Sequence, residues 1–452
     1  MGIFGAMTTA ISGLSAQSFA LENISGNIAN SRTTGFKRVD TSFSDLVMDL
    51  PPRRELSGSV NAYSRNTATV QGDIQSSQIG TNMAISGQGF FIVKERTGDA
   101  AGQPLFAGSQ LYTRRGDFEL DRNGFLVNGT GNFLMGYPVD PSTGAVAASS
   151  LQVLRINSNN LPARATNQIE YNVNLPKYPL TTNADPLVAG SQLLTGAPYT
   201  GATIAATDEN GFLARTIAGQ SVTVYDASGS PINVQIRWGK TSNVVGAETW
   251  SAYYLSDNTA TGPAAKWTQV PGAGAIGFNA SGQLTAPATG LLTGSVFTVD
   301  GVTSPPIDIN FGTNGLTQFA DPNGQVVPNV ISQNGYPTGT IQRVAIGEGG
   351  RVMASYSNGQ TVPLGAIPLA QFASDNLLKR LDGGVFEATL ESGQALITDG
   401  GNGIVGASTE NSNTDIADEF AKMIVTQQAY SANTRVVSTS QEMLRDVLNI
   451  VR

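Results

Sequence analysis

Apolar residues recur in a 3-4 rhythm at both ends of the chain and alternate with polar ones between. The first rhythm runs Ile3, Met7, Ala10, Leu14, Gln17, Leu21, Ile24, Ile28. The second runs Ile416, Phe420, Met423, Gln427, Tyr430, Thr434, Val437, Gln441, Leu444, Leu448, Val451. Steps of four and three hold a seam on one side of a helix, so the pattern predicts two long terminal helices forming a coiled coil. Gln427, Thr434 and Gln441 interrupt the second seam, which weakens such a pairing but fixes its register. The other face of the first helix carries Thr8, Thr9, Ser12, Gly13, Ser15, Ser18, Asn23, Ser25, Gly26 and Asn27, and Glu22 is the segment's one charge. Solvated helix faces ordinarily carry many Lys and Glu residues. Gly13 and Gly26 each cost about 1 kcal/mol relative to Ala, so this helix is weak until it finds partners. The second helix is better made, with Asn413 or Thr414 as cap and Asp415, Asp418 and Glu419 near its positive end. Two readings follow: an intramolecular helical hairpin capping a β-protein, or a surface for assembly. The uncharged face favours assembly.

Between the ends, residues 84–93 finish in a buried-strand run, and Tyr112 to Val127 reads as strand, turn at Asp121–Gly124, strand. Residues 222–225 and 232–236 flank a turn at Asp226–Gly229, and 344–346 and 352–356 flank one at Gly347–Gly350. Each is a hairpin signal. Residues 150–329 shift towards Thr, Ala, Gly and Pro and read as an inserted β-region. The fold class expected is therefore mixed and mainly β. Nested barrel- or sandwich-like domains follow the terminal helices: 1–30 with 413–452 helical, 31–72 connecting, 73–149 with 330–412 an inner β-domain, and 150–329 an outer insert of one or two domains.

The chain has 452 residues, no cysteine and no histidine. Thiolate nucleophiles, disulfides, Cys/His zinc sites and histidine-based triads are excluded. Charged residues are 13% of the chain and the net charge is −8, which disfavours nucleic acid as a partner. The first basic residue is Arg32, so no cleaved signal peptide is expected, and no apolar run is long enough to span a membrane. Gly401-x-Gly403-x-x-Gly406 lacks the helix that a dinucleotide site needs and reads as a loop. Gly239-Lys240-Thr241 lacks the first glycine of a phosphate cradle, which leaves Lys240 a strand-end charge. Glu119, Asp121, Asn123 and Gly124 lack the closing acid of a calcium loop. Arg114, Arg115, Asp117 and Glu119 read as a charged, solvated face. No catalytic, cofactor or metal residues emerge, and the chain is not expected to be an enzyme.

Leu14-Ser15-Ala16-Gln17, Ile28-Ala29-Asn30 and Thr33-Thr34-Gly35-Phe36-Lys37 resemble the N-terminal signature of the bacterial flagellar rod and hook proteins. Asn413-Thr414-Asp415-Ile416-Ala417, with Met423 to Tyr430 and Gln427 among them, resembles their C-terminal signature. Ile85 to Val93, Tyr112 to Phe118, Tyr356 to Gln360 and Leu364-Gly365 are similar to the family's first β-domain. The length, and Gly315-Leu316-Thr317-Gln318-Phe319, point to its hook branch. Gly406 to Glu410 departs from the family's pattern. The resemblance implies a self-assembling subunit of a curved hollow tube, a universal joint carrying torque from rod to filament. Export by the flagellar type III apparatus to the hook, outside the cell, is implied too. The implied partners are other copies, the distal rod, the hook cap, the hook-length ruler and the hook–filament junction proteins. Met7, Leu14, Leu21, Ile24, Ile28, Ile416, Phe420, Met423, Tyr430, Val437, Leu444 and Leu448 are the expected assembly residues. Asn30, Thr34, Gly35, Phe36, Asn413, Asp415 and Gln427 carry the signature. The alternatives are a distal rod subunit or a secreted β-rich adhesin with helical oligomerisation ends.

Overall fold

A computed structural model describes residues 3–45, 59–100, 103–141, 143–146, 150–157 and 160–450, with the side chains of 313, 402 and 447–450 left aside. Strands hold 39% of the residues and helices 19%, so the chain is mainly β. It divides into two compact units, residues 1–159 with 341–452, and residues 160–340.

In the first unit, one long sheet interleaves strands from both halves of the chain. Its path runs Ile341–Ile346, Arg351–Tyr356, Thr361–Ala366, Asn132–Pro138, Phe90–Ala100, Leu111–Thr113, Val385–Glu387 and Lys379–Arg380. Phe90 and Ile92 pack into one core and Phe91 and Val93 into another, which is why that run reads as continuously apolar. The hairpin closed by Gly347–Gly350 pairs Ile346 with Val352, with Gly349 and Gly350 taking the positive φ that the turn demands.

The second unit contains a four-stranded and a seven-stranded sheet around a core that includes Tyr171, Trp238, Trp250, Phe278 and Phe297. Lys240 is not a strand-end charge. Ile236, Trp238 and Lys240 alternate onto the core face of strand Ile236–Ser242, so the lysine is buried with them. Its Nζ donates to the Lys177 carbonyl at 2.7 Å and lies 3.4 Å from Glu248. With its amide oriented to suit its neighbours, Gln318 donates to Glu248 at 2.7 Å and accepts from Trp250 Nε1 and Lys240 Nζ, each at 3.1 Å.

The N-terminal helix, Ile3–Ala29, and the C-terminal helix, Ile416–Ile450, pack together in the first unit. They run antiparallel: Gly13 lies against Asn433, and Asn27 donates to Glu419 at 3.0 Å. The buried face of the N-terminal helix is Ala10, Gly13, Ala16, Ala20, Ile24 and Asn27. It shares only Ala10 and Ile24 with the apolar stripe read from the sequence. On the C-terminal helix the covered residues include Glu419, Thr426 and Ser440. The physical reason is proximity: small side chains admit a second backbone, and a Cβ at Gly13 would stand 2.8 Å from Asn433 Nδ2. The supposedly open polar face is also partly covered. The hairpin of strands Val39–Asp45 and Val60–Asn66 lies on it: Ser12 Oγ accepts from Val60 N at 2.9 Å, Asn23 donates to Thr41 at 2.8 Å, and Asn27 bonds both main-chain groups of Val39 at 2.9 Å.

Candidate functional site

Where the chain leaves the N-terminal helix and where it enters the C-terminal one, the signature residues form a joint. Asn30 closes the first helix, its Nδ2 donating to the Gly26 carbonyl at 2.9 Å and its Oδ1 accepting from Thr33. Thr34 is half-buried in the turn that follows. Gly35 has φ 65°, its N donates to the Glu410 carbonyl at 2.7 Å, and a Cβ there would stand 2.7 Å from the Arg115 backbone. Only glycine meets both demands. Phe36 is buried beneath the Arg380 guanidinium, 4.3 Å from its ring centre. Asn413 stitches the two ends of the chain together, its Oδ1 accepting from Arg38 N at 2.7 Å and its Nδ2 donating to the Thr67 and Val70 carbonyls. Asp415 caps the C-terminal helix by accepting from Ala417 N at 2.8 Å. Gln427 lies apart from the joint, exposed along that helix.

At the centre of the joint is a charge cluster that the sequence reading missed. Arg114 is not on a solvated face: it is 2% exposed, and Arg115 alone pairs outward with Asp117. Glu410, wholly buried, accepts from Lys37 Nζ at 2.5 Å, from Gly72 N at 2.8 Å and from Arg114 Nη1 at 3.3 Å. Lys37 donates also to the Val70 carbonyl, and Arg114 to that of Gly87. Burial pushes Lys37 and Arg114 below their ordinary pKa values, and Glu410 opposes this in both. Burial pushes the neighbouring Asp375 up, against the pull of Arg114. Lys37 and Arg114 are 77 positions apart along the chain, and Arg114 and Glu410 are 296 apart, so no local pattern announces them. The one available signal was a lysine closing an otherwise uncharged signature, Thr33 to Lys37.

The expected assembly residues divide. Ile24 is buried, while Met7, Leu14, Leu21, Ile28, Met423, Val437 and Leu444 are half-buried. Ile416, Phe420 and Tyr430 are exposed, and the side chain of Leu448 lies outside the described residues. Phe4, Ile11, Ile424, Val425, Val436 and Met443 are exposed as well. The helix pair thus faces inward with small and polar groups and outward with much of its apolar surface. The calcium-like loop is an Asx turn: Asp121 Oδ1 accepts from Asn123 N and Phe125 N.

Four family models match in chain order. They are described as flagella basal body rod protein (residues 7–37), flagellar hook protein FlgE/F/G D1 domain (84–177), flagellar basal body protein FlaE D2 domain (198–336) and flagellar basal body rod FlgEFG protein C-terminal (406–450). The chain is 31% identical to the flagellar hook protein FlgE of Brucella suis, covering all of both chains. It is 30% identical to that of Escherichia coli, over 98% of this chain and 100% of the relative, and 30% identical to that of Salmonella typhimurium, over 98% of each. A solved structure, the hook protein FlgE2 of Helicobacter pylori, aligns with TM-score 0.48 and 13% identity over 75% of this chain and 99% of that one. Full-length similarity that runs through the joint, both terminal helices and the insert places the chain in the family of bacterial flagellar hook proteins, structural subunits of the hook.

Proposed function

We propose that this hook subunit polymerises by burying the outward apolar faces of its terminal helices against other copies. The helices would then form a coiled-coil inner wall around a channel, with nested β-domains as the outer shell. The observation that carries this reading is the inverted helix pair. Ala10, Gly13, Ala16 and Thr426 are turned inward while Phe4, Ile11, Ile416, Phe420, Ile424 and Tyr430 lie outside. An isolated helical hairpin would place those groups the other way round. Each large apolar side chain moved out of water contributes about 1.5–3 kcal/mol, enough in sum to drive association. The resulting tube would be curved and act as a universal joint between rod and filament. The joint of Lys37, Arg114 and Glu410 would carry load from the inner wall to the β-body. The distal rod, hook cap, length ruler and hook–filament junction proteins are the partners this role requires. Export by the type III apparatus without a cleaved signal would deliver the subunit.

The test replaces Phe420 and Ile424 together with Ser in the full chain. The expected product is a folded monomer with unchanged far-UV circular dichroism that no longer forms tubes, seen by electron microscopy. Tubes formed at the wild-type concentration would refute the reading. A chain that formed no tubes in any variant but bound glycan would instead support the adhesin.

A further inference from the structure

An open helical tube needs heterologous contacts, in which one patch of a subunit meets a different patch on the next. The first unit carries two exposed patches of complementary chemistry. One is the turn Thr389–Gly393. Leu390 at its tip is 103% exposed and Glu391 beside it is exposed too. The turn is nonetheless rigidly built: buried Ser392 accepts from Thr389 N at 2.9 Å and donates to the Thr389 carbonyl at 3.0 Å, and Thr389 Oγ1 donates to the Leu377 carbonyl at 2.9 Å. Leu377 and Leu396, in the segments flanking the turn, are exposed as well. A leucine held out on a fixed turn keeps little entropy to lose on docking, which is what a binding anchor requires.

The other patch is a groove of about 410 Å³ whose lining includes Leu120, Arg122, Arg155, Ile341 and Val344. The lining sets Leu120, Ile156, Ile341 and Val344 beside the two arginines, with Asp121 as its one acid. Arg122 makes no ion pair among the described residues, and Arg155 lies over the Phe125 ring with its Nε donating to the Asn123 carbonyl. Of the nearby acids, Asp121 is occupied by its own turn and Glu119 lies outside the lining. Strand Ile341–Ile346, which supplies part of the groove, begins the sheet path; Val385–Glu387, which leads into the turn, lies next to its other end. The two patches therefore sit on different strands of one sheet, as a head-to-tail contact requires.

We infer that the Leu390–Glu391 turn of one copy seats in the Leu120/Arg122/Arg155 groove of a second copy, with the leucine against the apolar side chains of the lining and the carboxylate on its arginines. This rests on the polymer reading but concerns a β-body contact apart from the helices. The chain has no cysteine, so an introduced pair reports cleanly. Leu390→Cys with Leu120→Cys should give disulfide-linked ladders on oxidising assembled tubes, and none from the dilute monomer. Tubes that form but yield no ladder overturn the inference and leave the hook reading standing; no tubes from the wild-type chain under any condition would remove both. A charge exchange tests the same contact without a cross-link. Glu391→Arg and Arg122→Glu should each raise the concentration needed for polymerisation about tenfold, and the double exchange should recover most of that loss. Additive losses in the double exchange would count against the contact.

Discussion

Glu410→Gln is the sharpest probe of the joint. The substitution keeps the size of the side chain and one acceptor oxygen, removes the charge, and sets an amide donor where a second oxygen accepted. It leaves Lys37 and Arg114, whose side chains are each 2% exposed, without the carboxylate that both contact. Breaking a buried ion pair by deleting one partner costs about 3–5 kcal/mol, because the survivor is left uncompensated in a poorly polarisable interior. The loss belongs to the first unit alone. This can be read directly, since Trp238, Trp250 and Trp267 all lie in the second unit and the long helices all lie in the first. In urea titrations of dilute monomer, the far-UV circular dichroism transition should move to lower denaturant while the tryptophan transition stays in place. The deficit should also depend on pH. Burial already holds Lys37 below its ordinary pKa, against the pull of Glu410. Without Glu410 the folded chain binds that proton more weakly still, and the unfolded chain binds it as usual. The unfolded state then carries more protons in the window below the ordinary lysine value, so the variant gains stability as pH rises there and closes on the wild type. A loss below about 1 kcal/mol, the net worth of an ordinary hydrogen bond, would refute the argument. So would equal shifts of both transitions.

Two further substitutions separate the remaining features. Gly13→Leu forces a side chain into the space of Asn433 and should cost about 1–3 kcal/mol of overpacking, parting the helices. Faster proteolysis of residues 3–29 would report it, and unchanged resistance would mean the helices do not depend on that close approach. Lys240→Met strands Glu248 in the core of the second unit and should lower the tryptophan transition by about 3–5 kcal/mol, leaving the helices untouched. Adding Glu248→Gln should recover much of the loss, since no unpaired buried charge then remains; a double variant as weak as the single would rule that account out.

What was legible in the sequence was local. The hairpins at 226–229 and 347–350 announce themselves through turn residues between alternating strands, and the terminal helices through their period. The helix face was misread because apolarity was counted where closeness decided the packing, so Gly13 and Asn27 looked like surface and are interface. Arg114 and Arg115 are adjacent and chemically alike, yet one points into the core and the other to solvent; only the tertiary partner Glu410 distinguishes them. Lys240 was readable in principle. Ile236, Trp238 and Lys240 share a strand face, and Glu248, Trp250 and Ala252 share that of the next strand, so strict alternation already placed both charges inward.

The inverted helix pair has an evolutionary consequence. What holds the subunit's own helices in register is one set of side chains, small and polar. On the polymer reading proposed above, what joins neighbours is another set, large and apolar, on the far side. Changes in the second set can tune how firmly a polymer coheres without disturbing how each protomer folds. A lineage can then vary the mechanical character of its tube by drift at exposed positions while selection holds the hidden ones fixed.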